Sequence, residues 1–223
     1  MEPKFSAVLF DCDGVLVDSE SITNSVLRQM LIELGWDISA EECIRIFIGK
    51  ALKDQWEPIL EHTGVRIDEA WIASFRARRD TALRTDLQPI TGAVKAVKAI
   101  HELYGENIAC VTGADRAKVE MQLEIAGLSK YFGDRVFSGM ECAKSKPAPD
   151  VYLTAAASLG IDPEKALVIE DTATGATAGI GAGATVFGFS NNGPTSTAPQ
   201  KLLDAGAAHV FNDMAELPDL ASH

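Results

Sequence analysis

Three short apolar runs, each cut off by polar residues, organise this chain. They are Ala7-Val8-Leu9-Phe10 before Asp11, Ile108-Ala109-Cys110-Val111 before Thr112-Gly113, and Ala166-Leu167-Val168-Ile169 before Glu170-Asp171. An unbroken apolar run of this length is what a strand covered on both faces looks like, as in the middle of a parallel sheet. Three such strands in parallel would line up Asp11, Thr112 and Asp171 along one edge. That is the carboxyl edge, where open α/β sheets bind ligands. Shorter runs at Val136-Phe137, Ala184-Thr185-Val186-Phe187 and Ala208-His209-Val210-Phe211 predict further strands.

Helical patterns lie between them. Asp115 is placed to cap a helix running to about Ala126, with Gly127 where a left-handed C-terminal residue belongs. Pro149 suits the first turn of a helix to about Leu159, followed by Gly160. The stretch from Thr172 to Gly183 is rich in Ala and Gly, so its helix can lie close to a sheet. Asn191-Asn192-Gly193-Pro194-Thr195 reads as a loop before a short helix. Alternating strands and helices predict a doubly wound, Rossmann-like α/β core with a parallel sheet. The segment 17–88 breaks this rhythm: Ile22, Val26, Leu27, Met30, Leu31 and Leu34 keep helical spacing and no strand stands out. The expected organisation is a core of 1–16 plus 89–223 with an all-helical insertion at 17–88, hinged near Leu16-Val17 and Pro89.

Composition narrows the function. The 223 residues are 47% apolar and 23% charged, as in ordinary globular proteins, and the formal net charge is −12. Such a balance argues against a nucleic-acid partner, which needs a basic stripe. It also means that a phosphate site here must draw on local cations or a metal. No apolar stretch approaches the length that spans a bilayer, and Met1-Glu2-Pro3-Lys4 leads into a strand without a cationic-then-apolar leader. Cys12, Cys43, Cys110 and Cys142 are far apart with no CxxC pair, which points to free thiols and a reducing cytoplasm.

On their own, Asp11 and Asp13 could cap a turn or a helix as well as react. The wider pattern resembles a family. Asp11-Cys12-Asp13-Gly14-Val15-Leu16-Val17-Asp18-Ser19 resembles the first motif of the haloacid dehalogenase-like hydrolases, in the DxDGxxxDS form of their phosphatase branch. Val111-Thr112-Gly113 is similar to the second motif. Lys146-Pro147-Ala148-Pro149-Asp150 is similar to the third, and Glu170-Asp171-Thr172-Ala173-Thr174-Gly175 to the fourth. All four occur in order across nearly the whole chain. The helical insertion is similar to the cap of the subgroup that holds β-phosphoglucomutase and many sugar-phosphate phosphatases.

The resemblance implies an enzyme, a phosphoric monoester hydrolase, with Asp11 as nucleophile forming an aspartyl phosphate. Asp13 would protonate the leaving oxygen and then deprotonate the attacking water. Mg²⁺ would be held by Asp11, the Asp13 backbone carbonyl and Asp171, with Glu170 as support or a water-mediated ligand. Thr112 and the amides of Gly113 and Ala114 would bind phosphoryl oxygens at a helix N-terminus. Lys146 would bridge Asp11 and the phosphate; Lys144 is a neighbouring candidate without the proline context. Lys50, in the Ile48-Gly49-Lys50 turn, is a candidate substrate contact from the cap. Asp18 is expected to support the hinge or the loop of the first motif rather than react, and Asp150 to stabilise its helix N-terminus or orient the lysine loop.

His62, His101, His209 and His223 match no motif and read as surface or structural. The cap's basic cluster Arg76-Ala77-Arg78-Arg79 reads mostly as a solvated helix face. The expected partner is a small phosphate ester, probed by a cap that closes over it, in a monomer or weak homodimer. Asp13 argues against a dehalogenase, whose halide leaves without a proton. A β-phosphoglucomutase would carry a histidine on the first cap helix where this chain has Thr23. A non-catalytic phosphoacceptor of the receiver type would be shorter and lack the insertion.

Overall fold

Burial of apolar strands between helices sets the architecture. The computed structural model describes residues 4–47, 52, 55–191, 193 and 195–222. Two compact units emerge, Met1–Asp18 with Gln88–His223, and Ser19–Leu87.

The first unit holds a six-stranded sheet of β1 (Ala7–Phe10), β2 (Ile108–Thr112), β3 (Val136–Ser138), β4 (Ala166–Glu170), β5 (Thr185–Phe189) and β6 (His209–Phe211). Every neighbouring pair is parallel, in the order β3-β2-β1-β4-β5-β6. All residues of β1, β2 and β4 are buried, as their unbroken apolar runs require. The order reverses direction between β1 and β4, which makes their carboxyl ends the switch point of the sheet. Phe10 pairs with Ile169, so Asp11 and Glu170 leave the two strands side by side.

Helices cover both faces. Leu9, Ala109, Val111, Val168 and Val186 pack in one cluster with Val151, Tyr152 and Ala155 of α8 (Asp150–Leu159), Ala176 and Ala178 of α9 (Ala173–Gly181), and Leu202 of α10 (Pro199–Asp204). The small residues of α9 allow a close approach: a Cβ on Gly179 would lie 2.7 Å from Val186 Cγ2. On the other face α5 (Ala93–Tyr104) contacts β1 and β2, and Phe10 meets Phe132 of α7 (Ser129–Phe132) edge-on. Helix α5 has no counterpart in the sequence expectations, although its buried Ala93, Ala96, Val97, Ile100 and Tyr104 follow helical spacing. Helices α6 (Arg116–Ile125) and α11 (Leu217–Ser222) complete this unit.

The second unit is helical: α1 (Glu20–Glu33), α2 (Ala40–Phe47), α3 (Trp56–Thr63) and α4 (Glu69–Asp86), with α1 packed on α2 and α4. Its core joins Leu27, Met30, Leu31, Trp36, Ile38, Phe47, Ile59, Ile72 and Phe75. Arg79 departs from the expected solvated face. It falls on the buried stripe Ile72, Phe75, Arg79, Leu83 of α4 and pairs with Asp80. Arg78, one residue before it, stays exposed with Glu33.

Val17 and Asp18 stay with the sheet unit for a local reason. Val17 bridges to Asp13 and Pro89, the Ile90 amide donates to the Leu16 carbonyl, and the Asp18 amide donates to the Gln88 carbonyl. The chain therefore leaves the sheet unit two residues later than the apolar pattern suggests.

Candidate active site

The strand ends deliver the acids first. Asp11 follows β1, Glu170 ends β4 and Asp171 follows it, and one carboxylate oxygen from each lies within 4.8 Å of the others. All three are buried. Glycine makes room for two of them. A Cβ on Gly14, which sits at φ +79°, would stand 2.1 Å from Asp171 Oδ2, and one on Gly175 would stand 1.8 Å from Glu170 Oε1.

Lys146 enters this cluster from the loop between β3 and α8. Its Nζ donates to Asp11 Oδ1 at 2.7 Å, to Glu170 Oε1 at 2.7 Å and to the Val111 carbonyl at 2.9 Å. Its side chain is 8% exposed, whereas Lys144 is exposed. Glu170 is held from every side. Oε1 also accepts from the Tyr152 hydroxyl at 2.8 Å, and Oε2 accepts from the Asp171 and Thr172 amides and the Thr172 hydroxyl. Thr172, not Asp171, caps α9, accepting from the Gly175 amide at 3.0 Å.

Burial pushes the Asp11 carboxyl up, to about 7, with Glu170 and Asp13 pushing the same way and Lys146 pulling it down. Burial would lower Lys146, but the negative charges of Asp11 and Glu170 outweigh it and hold the ammonium well above its usual range. Burial next to Glu170 likewise raises Tyr152, which stays a neutral donor. With all groups ionised, the three carboxylates outnumber the one ammonium by two charges. A hard divalent cation fits this donor set: it takes oxygen ligands from one or two carboxylates and neutralises the excess. Asp11 and Asp171 are the ligands the arrangement offers, while Glu170 is bound by its five protein donors.

On the other side of β1 lies the end of β2. The Thr112 hydroxyl accepts from the Ala114 amide at 3.0 Å, Gly113 is exposed, and Asp115 caps α6 by accepting from the Lys118 amide at 2.9 Å. Thr112 is therefore not the cap of that helix. Asp13 sits beyond Asp11, and its carboxylate is gripped by α6: Lys118 Nζ lies 2.8 Å from both oxygens and Gln122 Nε2 lies 2.8 Å from Oδ1.

Of the residues singled out in the sequence, Asp11, Lys146, Glu170 and Asp171 converge in one cluster. Lys50 lies outside the described residues. Tyr152, Lys118 and Gln122 join these residues without a place in the sequence motifs. Lys118 and Gln122 stand one helical turn apart on a face that also buries Val119, Met121 and Leu123, a polar pair in an apolar stripe. The other notable groups stay local. Asp150 opens α8, His62 stacks on Trp36 at 4.0 Å, and His101 and His209 pack against Tyr131 and Phe187. His223 lies outside the described residues. Cys12, Cys43, Cys110 and Cys142 are free.

This sheet edge and its order of motifs define a class. The family model of haloacid dehalogenase-like hydrolases matches residues 5–183, and the chain belongs to that family. Within it the chain is an enzyme of the phosphatase branch, in line with its curated relatives. It is 29% identical to the 6-phosphogluconate phosphatase of Escherichia coli over 219 residues, which cover 97% of this chain and 95% of that protein. It is 31% identical to hexitol phosphatase A of the same organism over 192 residues, covering 85% and 84%. Among solved structures, a HAD family hydrolase from Deinococcus radiodurans with bound phosphate and sodium superposes with a TM-score of 0.80 at 32% identity. That match covers 96% of this chain and 93% of the other. A haloacid dehalogenase-like protein from Agrobacterium tumefaciens gives a TM-score of 0.83 at 30% identity, with 97% of each chain covered.

Proposed function

We propose that the protein is a Mg²⁺-dependent phosphatase that hydrolyses a small phosphorylated metabolite, a sugar or sugar-acid phosphate, through an aspartyl phosphate on Asp11. The observation that carries this reading is Lys146 bridging Asp11 and Glu170 beside Asp171 at the β1/β4 switch point. The names of the relatives, 6-phosphogluconate phosphatase and hexitol phosphatase A, support the substrate class. Thr23, on α1 where a mutase of this family would carry histidine, speaks against sugar phosphomutase activity. The free cysteines fit a reducing compartment such as the cytoplasm.

The residues divide the work as follows. Lys146, anchored by Glu170 and the Val111 carbonyl, fixes the orientation of Asp11 and lowers the cost of its charge. Thr112 and the amides of Gly113 and Ala114 receive phosphoryl oxygens at the α6 N-terminus. Bound Mg²⁺, held by Asp11, Asp171 and the Asp13 backbone carbonyl, would supply the positive charge that offsets an incoming phosphate. An Asp11 oxygen attacks phosphorus, the bond to the leaving oxygen breaks, and Asp13 gives that oxygen a proton. Water then attacks the aspartyl phosphate, Asp13 takes its proton, and phosphate departs with Asp11 regenerated.

Phosphate release from a panel of phosphorylated sugars and sugar acids tests the reading, with and without EDTA and added Mg²⁺. Turnover of at least one ester is expected, silenced by chelation and restored by Mg²⁺. Asp11→Asn should lower it by about 10³-fold or more while keeping the fold. Wild-type-like turnover by the variant would sink the mechanism, and full activity after exhaustive chelation would sink the metal.

A further inference from the structure

We propose that Lys118 and Gln122 of α6 are positioning residues for Asp13, holding its carboxylate in the orientation from which it moves protons. The inference rests on the reading of Asp13 as the acid and base.

Three observations carry it. The first is the completeness of the grip. Lys118 Nζ reaches both oxygens of Asp13 at 2.8 Å, and Gln122 Nε2 reaches Oδ1 at 2.8 Å. An aspartate side chain left to itself has three staggered χ1 wells to choose from, and three charge-assisted contacts select one.

The second is the cost of the arrangement. Lys118 is 7% exposed, Asp13 is 16% exposed and Gln122 is fully buried. Taking a lysine ammonium out of water is expensive, and an apolar side chain of similar volume at such a place is commonly neutral or stabilising. Stability is thus a poor reason for a lysine there, whereas positioning of a reactive carboxylate is a good one.

The third is that the grip is itself held. Gln122 Oε1 accepts from the Cys12 thiol at 3.6 Å, which turns the amide so that Nε2 faces Asp13. The helix is fixed at its start by the Asp115 cap on the Lys118 amide. Since α6 begins just after Thr112-Gly113-Ala114, one rigid element ties the phosphate-binding loop to the proton carrier. An error of about 1 Å in such an alignment can cost about 10²-fold in rate.

A leaving-group series separates this role from a merely structural one. Wild type, Lys118→Met, Gln122→Leu, Lys118→Arg and Asp13→Asn are compared by kcat/KM on dinitrophenyl, p-nitrophenyl and phenyl phosphate, with Tm as a check on folding. The dinitrophenolate leaves without help, whereas phenoxide needs a proton. Asp13→Asn should lose about 10²–10⁴-fold on phenyl phosphate and far less on dinitrophenyl phosphate. Lys118→Met should show the same slope at about 10–100-fold, Gln122→Leu a smaller one, and Lys118→Arg should recover most of the loss.

Equal losses across the three esters in both Lys118→Met and Gln122→Leu, beside a steep Asp13→Asn, overturn the positioning role and leave Asp13 as the acid. A flat Asp13→Asn series overturns the reading of Asp13 itself. If Lys118→Met fails to fold, Gln122→Leu carries the same comparison.

Discussion

The sheet unit and the helical unit treat charge in opposite ways. In the sheet unit two lysines are almost fully buried, Lys146 against Asp11 and Glu170, Lys118 against Asp13. In the helical unit the core from Leu27 to Phe75 is apolar, and a pair such as Arg78–Glu33 sits in solvent. Even its buried Arg79 meets an Asp80 that is 38% exposed. Dehydrating an ion costs several kcal/mol, and a surface pair costs almost nothing. Among the described residues, both of these lysines stand at the carboxyl edge of the sheet, beside the strand ends that carry its chemistry. Lysines buried against carboxylates therefore mark the reactive region, whereas the core of the helical unit is built mainly from apolar packing.

Removing the lysine at the centre of the contrast should have the largest effect. Lys146→Met leaves Asp11 and Glu170 buried without their cation, which should cost about 3–5 kcal/mol in stability and about 10²–10³-fold in turnover. Urea denaturation and phosphate release measure the two. A variant as stable as wild type would mean that the cluster tolerates its own repulsion and that buried charge is no marker at all.

How much of this was legible depended on the unit. The apolar runs ending in Asp11, Thr112 and Glu170-Asp171 are visible because strands buried on both faces have no polar positions to blur them, and their parallel register then sets the acids side by side. Lys146 is visible through the resemblance of Lys146-Pro147-Ala148-Pro149-Asp150 to the third motif of the family. Tyr152, Lys118 and Gln122 are not, because each is one residue of a helix whose neighbours are ordinary core, and only the tertiary packing gives it a carboxylate to meet. In the helical unit the periodicity predicts helices but not that Arg79 turns inward while Arg78 turns out. Adjacent positions on a helix differ by about 100°, and the boundary of a buried stripe is set by its partners.

The buried carboxylates also predict a pH dependence. Asp11 titrates near 7 in the folded protein and near 3.8 when unfolded. The folded state then binds more protons between these values, and the contribution of Asp11 to stability falls as pH rises from about 4 to about 7. In metal-free buffer the Tm of wild type relative to Asp11→Asn should therefore decline across that window. Saturating Mg²⁺, which binds the ionised form, should flatten the decline. A difference that stays constant with pH in the absence of metal would show that Lys146 alone keeps Asp11 ionised.

The smallest expected effect tests the other half of the contrast. Arg78 Nη1 lies 2.8 Å from both carboxylate oxygens of Glu33, distances close to those around Lys146. What differs is the solvent, since the two side chains are 48% and 43% exposed. Water screens both the attraction and its loss, so Arg78→Met should cost no more than about 1 kcal/mol in urea denaturation. It should also leave phosphate release from p-nitrophenyl phosphate unchanged. A loss comparable to that of Lys146→Met would mean that pairing geometry, rather than burial, sets the worth of an ion pair in this protein.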